Sequence, residues 1–564
     1  MESVGSPLRR RRFLQLLGGA ALVAGCTPAT ESAKATAAAP ATTVSQPSIA
    51  PTAQPKHPFT LLSFASPTNI DPAVAIDWPG RIHIIQAYES LFRYAPPASP
   101  GGPPRLIPHL AESVRASDDA KTYTVTLRPG VKFHDGTELD AAAVAFSMDR
   151  LLTIKKGAAA SFRDFLQPGD TKALDKRTVQ FNLRQPSGVF TSNLPFFFIV
   201  NPGIITTNRA PTGPYGPNGD YAEQYLQTKD AGSGPYVLKS ANPTDETVFE
   251  AFPDYWRGWK ENQFSSYKYK IVREPATAAQ LIRQGQANML YEFYAAQTFA
   301  DLDTVPSVQV SVDSGVKALH FIMNSKRAPL NNLKVRQAIA YAFDYKQAIE
   351  GVMKGIPKVT RLKGLLPTWV FGALDTSPYD TNLDRARALI AESGLKPSDL
   401  TIEYLALGGP TDQRTKAGLL MQANLAQIGI KVDVVPGVFA DVIKRVTQPE
   451  TAMHMLSADL SMESNEPADI FYTAYHSSSA GSWNGLHSIS NAELDGLLEK
   501  VRKTLRQEDR LPIYKQIQEK LFDLVPALFL FNEPTRVALS KDTGGYVYPT
   551  AFYNYEAYPL FKQS

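Results

Sequence analysis

Apolar and polar positions alternate with a period of two in several short stretches of the chain. In "KTYTVTLRPGVKFHDGT", Tyr123, Val125 and Leu127 share one face, the chain turns at Pro129-Gly130, and Val131 and Phe133 resume the alternation. This pattern predicts a β-hairpin. "TVQFNL" repeats it through Val179, Phe181 and Leu183. Between the two, Ala143, Phe146 and Leu151 fall near one face of a helix over residues 139–152, and Asp140 is placed to cap it. Further along, "LKVRQAIAYAFDYKQAIEGVM" sets Val335, Ile339, Ala342, Phe343, Ile349 and Val352 at helical spacing. "TIEYLAL", a helix through Leu420, Met421, Leu425 and Ile428, and "IKVDVV" read as strand, helix and strand, with Gly429 as the helix stop. Two more helices are predicted at 492–505 and 511–524. Strands and helices are mixed throughout, which gives an α/β class with irregular additions and no fixed-period repeat. Folded sequence begins near Phe59 and runs for about 500 residues, too long for one compact core, so at least two lobes are expected.

The N-terminus has a different pattern. Arg9 to Arg12 precede a mostly apolar segment, 13–24, which is short of the roughly 20 residues that span a bilayer as a helix. Ala24 and Gly25 lead into Cys26, the one cysteine of the 564-residue chain. A basic head, a short apolar middle and a small-residue boundary describe a secretory signal over 1–25. The arginine pair with Phe13-Leu14 resembles a twin-arginine export signal, with Gln15 where a lysine often follows. "LVAGC" resembles a bacterial lipobox, which implies cleavage before Cys26 and lipidation of its thiol. With no second cysteine, an internal disulfide or a cysteine-based metal cluster is excluded. Residues 26–58 are mostly Ala, Thr, Ser and Pro, too poor in large apolar side chains to fold, and read as a disordered tether with a reach of about 30 Å. The formal charge is +4, but the leader carries +3 of it. Without a concentrated basic patch the mature chain gives no support for nucleic-acid binding.

Several segments resemble, in order, one family: the peptide/nickel-type (family 5) extracytoplasmic solute-binding lipoproteins that feed ABC importers. "LAESVRASDDAKTYTVTLRPGVKFHDGTELDAAAVAFSMDRL" is similar to its signature stretch. "GSGPYVL", "PDYWRG", "FIMNSKRAPLNNLKVRQAIAYAFD", "IGIKVDV", "IYKQIQEKLFDLVPALFLF" and "NEPTRVAL" follow in the family's order. The resemblance covers nearly all of 59–564. It implies a two-lobed, periplasmic-binding-protein-like α/β fold with a hinge. Lobe I would comprise 59–315 and 535–564, with an extra subdomain at about 90–228, and lobe II would comprise 316–534. It further implies that the lobes close around a small solute or peptide and present it to an ABC permease and ATPase complex. The protein would be extracytoplasmic, held to the cell membrane through lipid on Cys26, and monomeric, with no cofactor, no metal and no catalysis.

Peptide-binding members hold the ligand's α-amino group with an acid shortly before an acidic-Pro pair. In "SADLSMESNEPADIF" the ungapped match is Glu463 and the alternative is Asp459, with Leu460 where an aromatic residue is usual. Trp483 and Asn484, in "GSWNGLHSIS", stand where members place ligand-contacting side chains, and Trp369 is a further candidate. Dipeptide binders grip the ligand's carboxylate with an arginine in the loop after a second-lobe strand. Here that point falls near Gly408, in Leu407-Gly408-Gly409-Pro410, and the nearest arginine is Arg414. The gap implies a ligand bulkier than a free dipeptide, and longer peptides, opines, oligosaccharides and metal chelates all remain open. Arg336 reads either as an anion ligand or as a tie between loops. The rival class is an exported hydrolase. Ser265-x-x-Lys268 and Ser393-x-x-Lys396 match a Ser–Lys nucleophile spacing, but no S-D-N, K-T-G, G-x-S-x-G, H-E-x-x-H or P-loop motif accompanies them. His134-Asp135-Gly136 reads as a turn with a surface histidine.

Overall fold

The computed structural model describes residues 54–75, 77–95, 104–291, 294–407, 412–461, 465–548 and 556–563. The leader, Cys26, the tether up to residue 53, Gly408 and Glu463 lie outside them.

Among the described residues the largest sheet has 11 strands. From one edge its order is Lys431–Gly437, Thr401–Leu407, Met455–Ser461, Val308–Met323, Ala527–Ser540, Met289–Leu290, His57–Ser63, Phe264–Ile271, Glu246–Ala251 and Tyr236–Ala241, with Thr360–Arg361 paired to Ala527–Ser540 off this path. The two middle strands are long, 16 and 14 residues, and antiparallel. Their ladder shifts register between Asp313 and Lys317. Gly315 lies in this interval, and a Cβ there would sit 1.9 Å from the Glu533 carbonyl oxygen, so the strands can pass this closely only at glycine.

Buried apolar side chains change partners at the same place. One core draws on residues 59–291 and 537–560. Two others draw on 319–531 and on 316–529, and Val189 reaches into the latter.

The strand–helix–strand unit predicted near residue 401 is present. Thr401–Leu407 and Lys431–Gly437 pair in parallel, joined by the helix Gln413–Ala426. Asp412 caps that helix by accepting from the Arg414 N–H at 2.8 Å, and Gly429 ends the following turn at φ +81°. Met455–Ser461 adds in parallel on the other side of Thr401–Leu407, so three C-terminal strand ends lie side by side. The helices predicted at 492–505 and 511–524 appear as Ala492–Lys503 and Gln507–Leu524.

A separate four-stranded sheet orders Ala111–Ala116, Thr122–Leu127, Thr178–Asn182 and Thr171–Ala173. The helix Ala141–Ile154 packs against it, with Asp140 accepting from the Ala143 N–H at 2.9 Å. The hairpin expected through Pro129-Gly130 does not form. Both edges of Thr122–Leu127 are already occupied by Ala111–Ala116 and Thr178–Asn182. Residues 131–139 instead fold on themselves, with Phe133 N–H donating to the Thr137 carbonyl at 2.8 Å and Leu139 N–H to that of Val131 at 2.9 Å. His134 is not on the surface either. Its Nδ1 meets Asp230 Oδ1 at 2.6 Å and its Nε2 meets the Gly234 carbonyl at 2.9 Å. Burial opposes the charged imidazole, but Asp230 and the carbonyl outweigh it and raise the pKa.

Candidate functional site

The middle of the large sheet brings a row of side chains onto one face. Leu319 pairs with Asp459 on one side and Phe531 on the other, and Lys317 pairs with Glu533. Period-two alternation sends their neighbours Ala318 and Leu460 into the opposite core. Over this row lies a cavity of about 470 Å³, lined also by Tyr294, Ile356, Asp412, Arg414, Lys416 and Arg536. Tyr294 and Arg536 come from one side of the Gly315 register shift, and Leu319, Asp459 and Arg414 from the other. The start of the helix Gln413–Ala426 delivers Asp412, Arg414 and Lys416 just beyond the C-terminal end of Thr401–Leu407, where open parallel sheets commonly bind ligands.

The lining is densely charged. Arg414 donates from Nε and Nη2 to the two oxygens of Asp412 at 2.8 Å each, and its Nη1 lies 3.4 Å from Asp459 Oδ2. Arg536 Nη2 holds Glu533 Oε1 at 3.1 Å. Burial raises the pKa of Asp412, but the Arg414 hydrogen bonds and charge outweigh it, so the net shift is downward. Burial pushes Asp459 up, and Arg414 and Lys317 only partly offset it. No group of three or more His, Cys, Asp or Glu residues suited to a metal ion occurs among the described residues.

A two-sided cavity at the register shift of two long strands is the geometry of a binding cleft, and the sequence matches the family described as bacterial extracellular solute-binding proteins, family 5, middle region, over residues 105–482. The chain belongs to this family. It is 29% identical over 506 residues to the probable D,D-dipeptide-binding periplasmic protein DdpA of Escherichia coli K12, covering 89% of this chain and 93% of that one. It is 28% identical over 503 residues to the glutathione-binding protein GsiB of Pectobacterium atrosepticum, covering 87% and 91%. In fold it is similar to the ABC transporter substrate-binding protein CtaP of Listeria monocytogenes, with a TM-score of 0.78 at 21% identity over 91% of this chain and all of that one. Family 5 proteins are two-lobed solute-binding components of ABC transport, and that is the role of this chain. No helix among the described residues is long and apolar enough to cross a membrane.

The expected site residues fall in different places on this family 5 scaffold. Asp459 lines the cavity. Glu463 and Gly408 are outside the described residues, although Asp412, four positions beyond Gly408, is described and also lines the cavity. Arg414, expected only as the nearest arginine to an empty position, has its guanidinium in the cavity. Trp483 is half-buried and packs edge-on against Phe439, with ring centroids 5.6 Å apart, just past the end of Lys431–Gly437. The buried Asn484 Oδ1 beside it has no hydrogen-bond partner among the described residues. Trp369 is 4% exposed, in the core of residues 316–529, and its indole N–H donates to the Gly315 carbonyl at 3.1 Å. That places it behind the register shift and not on the cavity wall. Arg336 ties loops together, through 2.7 Å to the Leu330 carbonyl and 2.9 Å to that of Leu524. Neither Ser–Lys spacing forms a pair. Ser265 Oγ donates to the His57 carbonyl, Lys268 faces Glu246, and Ser393 Oγ donates to the Ile390 carbonyl.

Lys317, Asp412, Lys416, Glu533 and Arg536 were not visible as site residues in the sequence. Asp412 and Lys416 had one available signal, their position at the first helix turn after a parallel strand. Lys317 and Glu533 had none, because they meet only through the register of the two long strands, and Arg536 joins them as Glu533's partner three residues along the same strand.

Proposed function

We propose that this family 5 protein captures a peptide or related solute, bulkier than a free dipeptide, in the 470 Å³ cavity and hands it to an ABC permease when two lobes close around it. The lobes are residues 59–315 with 535–564, carrying the extra subdomain at about 90–228, and residues 316–534. The exchange of core partners near Gly315 and Arg536 supports this division. The observation that carries the functional reading is the cavity itself. It lies across the register shift of the two long strands, takes walls from both sides of it, and falls within the roughly 300–1,000 Å³ typical of small-molecule sites. The dipeptide and glutathione named for DdpA and GsiB support a peptide class of ligand. Asp459, Glu463, Trp483 and Asn484 are the ligand-contacting residues of this reading, and Trp369 supports the hinge from behind. Residues 1–25 direct export, and lipid on Cys26 holds the mature protein beside its transporter, outside the cytoplasm and as a monomer.

Native mass spectrometry of protein purified without refolding tests the proposal. A co-purified solute, lost on unfolding and raising the melting temperature when added back, is expected, because a ligand that binds only the folded state stabilises it. Absence of any bound mass, together with a peptide library in which no member raises the melting temperature, would sink the peptide reading.

A further inference from the structure

The cavity's acids are already engaged by the protein's own cations. Arg414 spans two carboxylates: it is two-pronged on Asp412 and reaches Asp459 with its remaining nitrogen. Asp412 is further committed as the cap of the helix that carries Arg414. Glu533 is held by Arg536. Among the described lining residues, every carboxylate therefore faces an arginine. Lys416 lines the same cavity and has no ion-pair partner among the described residues, and Lys317 stands on its floor. Among the described lining residues there are four cations and three carboxylates.

We infer that Arg414 is the charge-selecting residue of the described cavity wall: as a built-in counter-ion it occupies Asp459, so this wall takes a ligand's anionic group, such as a carboxylate, in place of a free amine. An incoming ammonium would have to displace the guanidinium from Asp459 while remaining next to it, and like charges in a partly desolvated site repel. A ligand carboxylate meets no such competitor and finds Lys416 unengaged. The upward push that burial gives Asp459 further weakens it as an ammonium anchor. The inference rests on the cavity being the ligand site.

The first test does not require the natural ligand. Arg414→Ala should leave a guanidinium-sized gap between Asp412 and Asp459. Ethylguanidinium, titrated to about 10 mM, should then raise the variant's melting temperature saturably, and should have no such effect on the wild-type protein. If the variant does not fold, ethylguanidinium in the refolding buffer should restore it. An unresponsive variant, or an equal response from wild type, overturns the inference. The second test uses N-acetyl-dialanine, an anion, and dialanine amide, a cation, in calorimetry. Wild type should prefer the anion by at least about tenfold, and Arg414→Gln should reverse the order. The opposite order in wild type, or an unchanged order in the variant, overturns the inference and leaves the peptide reading intact. Failure of both proteins to bind either probe marks capped dipeptides as too small for the cavity, and the charge assignment then stands or falls on ethylguanidinium.

Discussion

Replacing Gly188 by alanine should weaken ligand binding without lowering the stability of the open, unliganded protein. Gly188 lies in the extra subdomain of proposed lobe I, and its N–H donates to the Arg502 carbonyl of proposed lobe II at 2.7 Å. Close by, Asn193 Nδ2 donates to Asp469 at 2.7 Å, and the Arg502 guanidinium lies 4.6 Å over the Phe165 ring. A Cβ on residue 188 would stand 2.0 Å from the Thr504 carbonyl oxygen, 2.4 Å from its carbon and 2.8 Å from the Leu505 nitrogen. All three are backbone atoms, so no side chain can swing aside. The hydrogen bond contributes about 1 kcal/mol and the overlap costs about 1–3 kcal/mol. The proposed lobe opening separates these surfaces, so on that reading the combined penalty of about 2–4 kcal/mol falls on the closed form alone. Ligand affinity should therefore drop roughly 30- to 700-fold. Calorimetry with the solute identified by mass spectrometry measures the loss. Small-angle scattering at saturating ligand should show the variant more open than wild type. Unchanged affinity, or an affinity loss matched by an equal loss of stability in the unliganded protein, would refute the latch.

His320 is fully buried with neither ring nitrogen hydrogen-bonded among the described residues, and burial lowers its pKa to about 3. The folded protein keeps it neutral while the unfolded chain protonates below about pH 6.5, so its contribution is complete above that pH and is lost as pH falls toward 3. At pH 5 it should cost about 2 kcal/mol relative to pH 7, and His320→Leu should reduce the acid loss seen in urea unfolding by that amount. An identical loss in wild type and variant would remove His320 from the account. Cys26→Ser should leave the protein unprocessed or release it from membranes, since stable anchoring takes more than one acyl chain. A variant still processed and equally membrane-bound would rule out lipid on that thiol, and Arg10→Lys with Arg11→Lys should block export if the twin-arginine route operates. Trp483→Ala should weaken binding by more than about 1 kcal/mol and abolish most of any ligand-induced fluorescence change. Full retention of binding would make its contact with Phe439 purely structural.

Features set by short-range physics were legible in the sequence. Asp140 caps its helix because a side-chain oxygen there reaches an otherwise unpaired N–H in the helix's first turn, whatever the rest of the chain does. The strand–helix–strand unit from Thr401 to Gly437 follows from a change of period from two to 3.6 and back, with Gly429 at its stop. The ordered motifs of family 5 carried the fold and the solute-binding role. What tertiary structure decided was which partners meet over long separations. Residues 131–133 have the alternation of a strand but no free edge to join, because Thr122–Leu127 is paired on both sides. His134 became a buried partner of Asp230, and Trp369 a support for Gly315, through segments far away in the chain. The cavity is the clearest case. Lys317 meets Glu533, and Leu319 meets Asp459 and Phe531, only because two long strands cross in one register. Arg414 reaches Asp459 only because two parallel strands end side by side. Such register is fixed by the packing of whole faces against their cores, which no local pattern encodes.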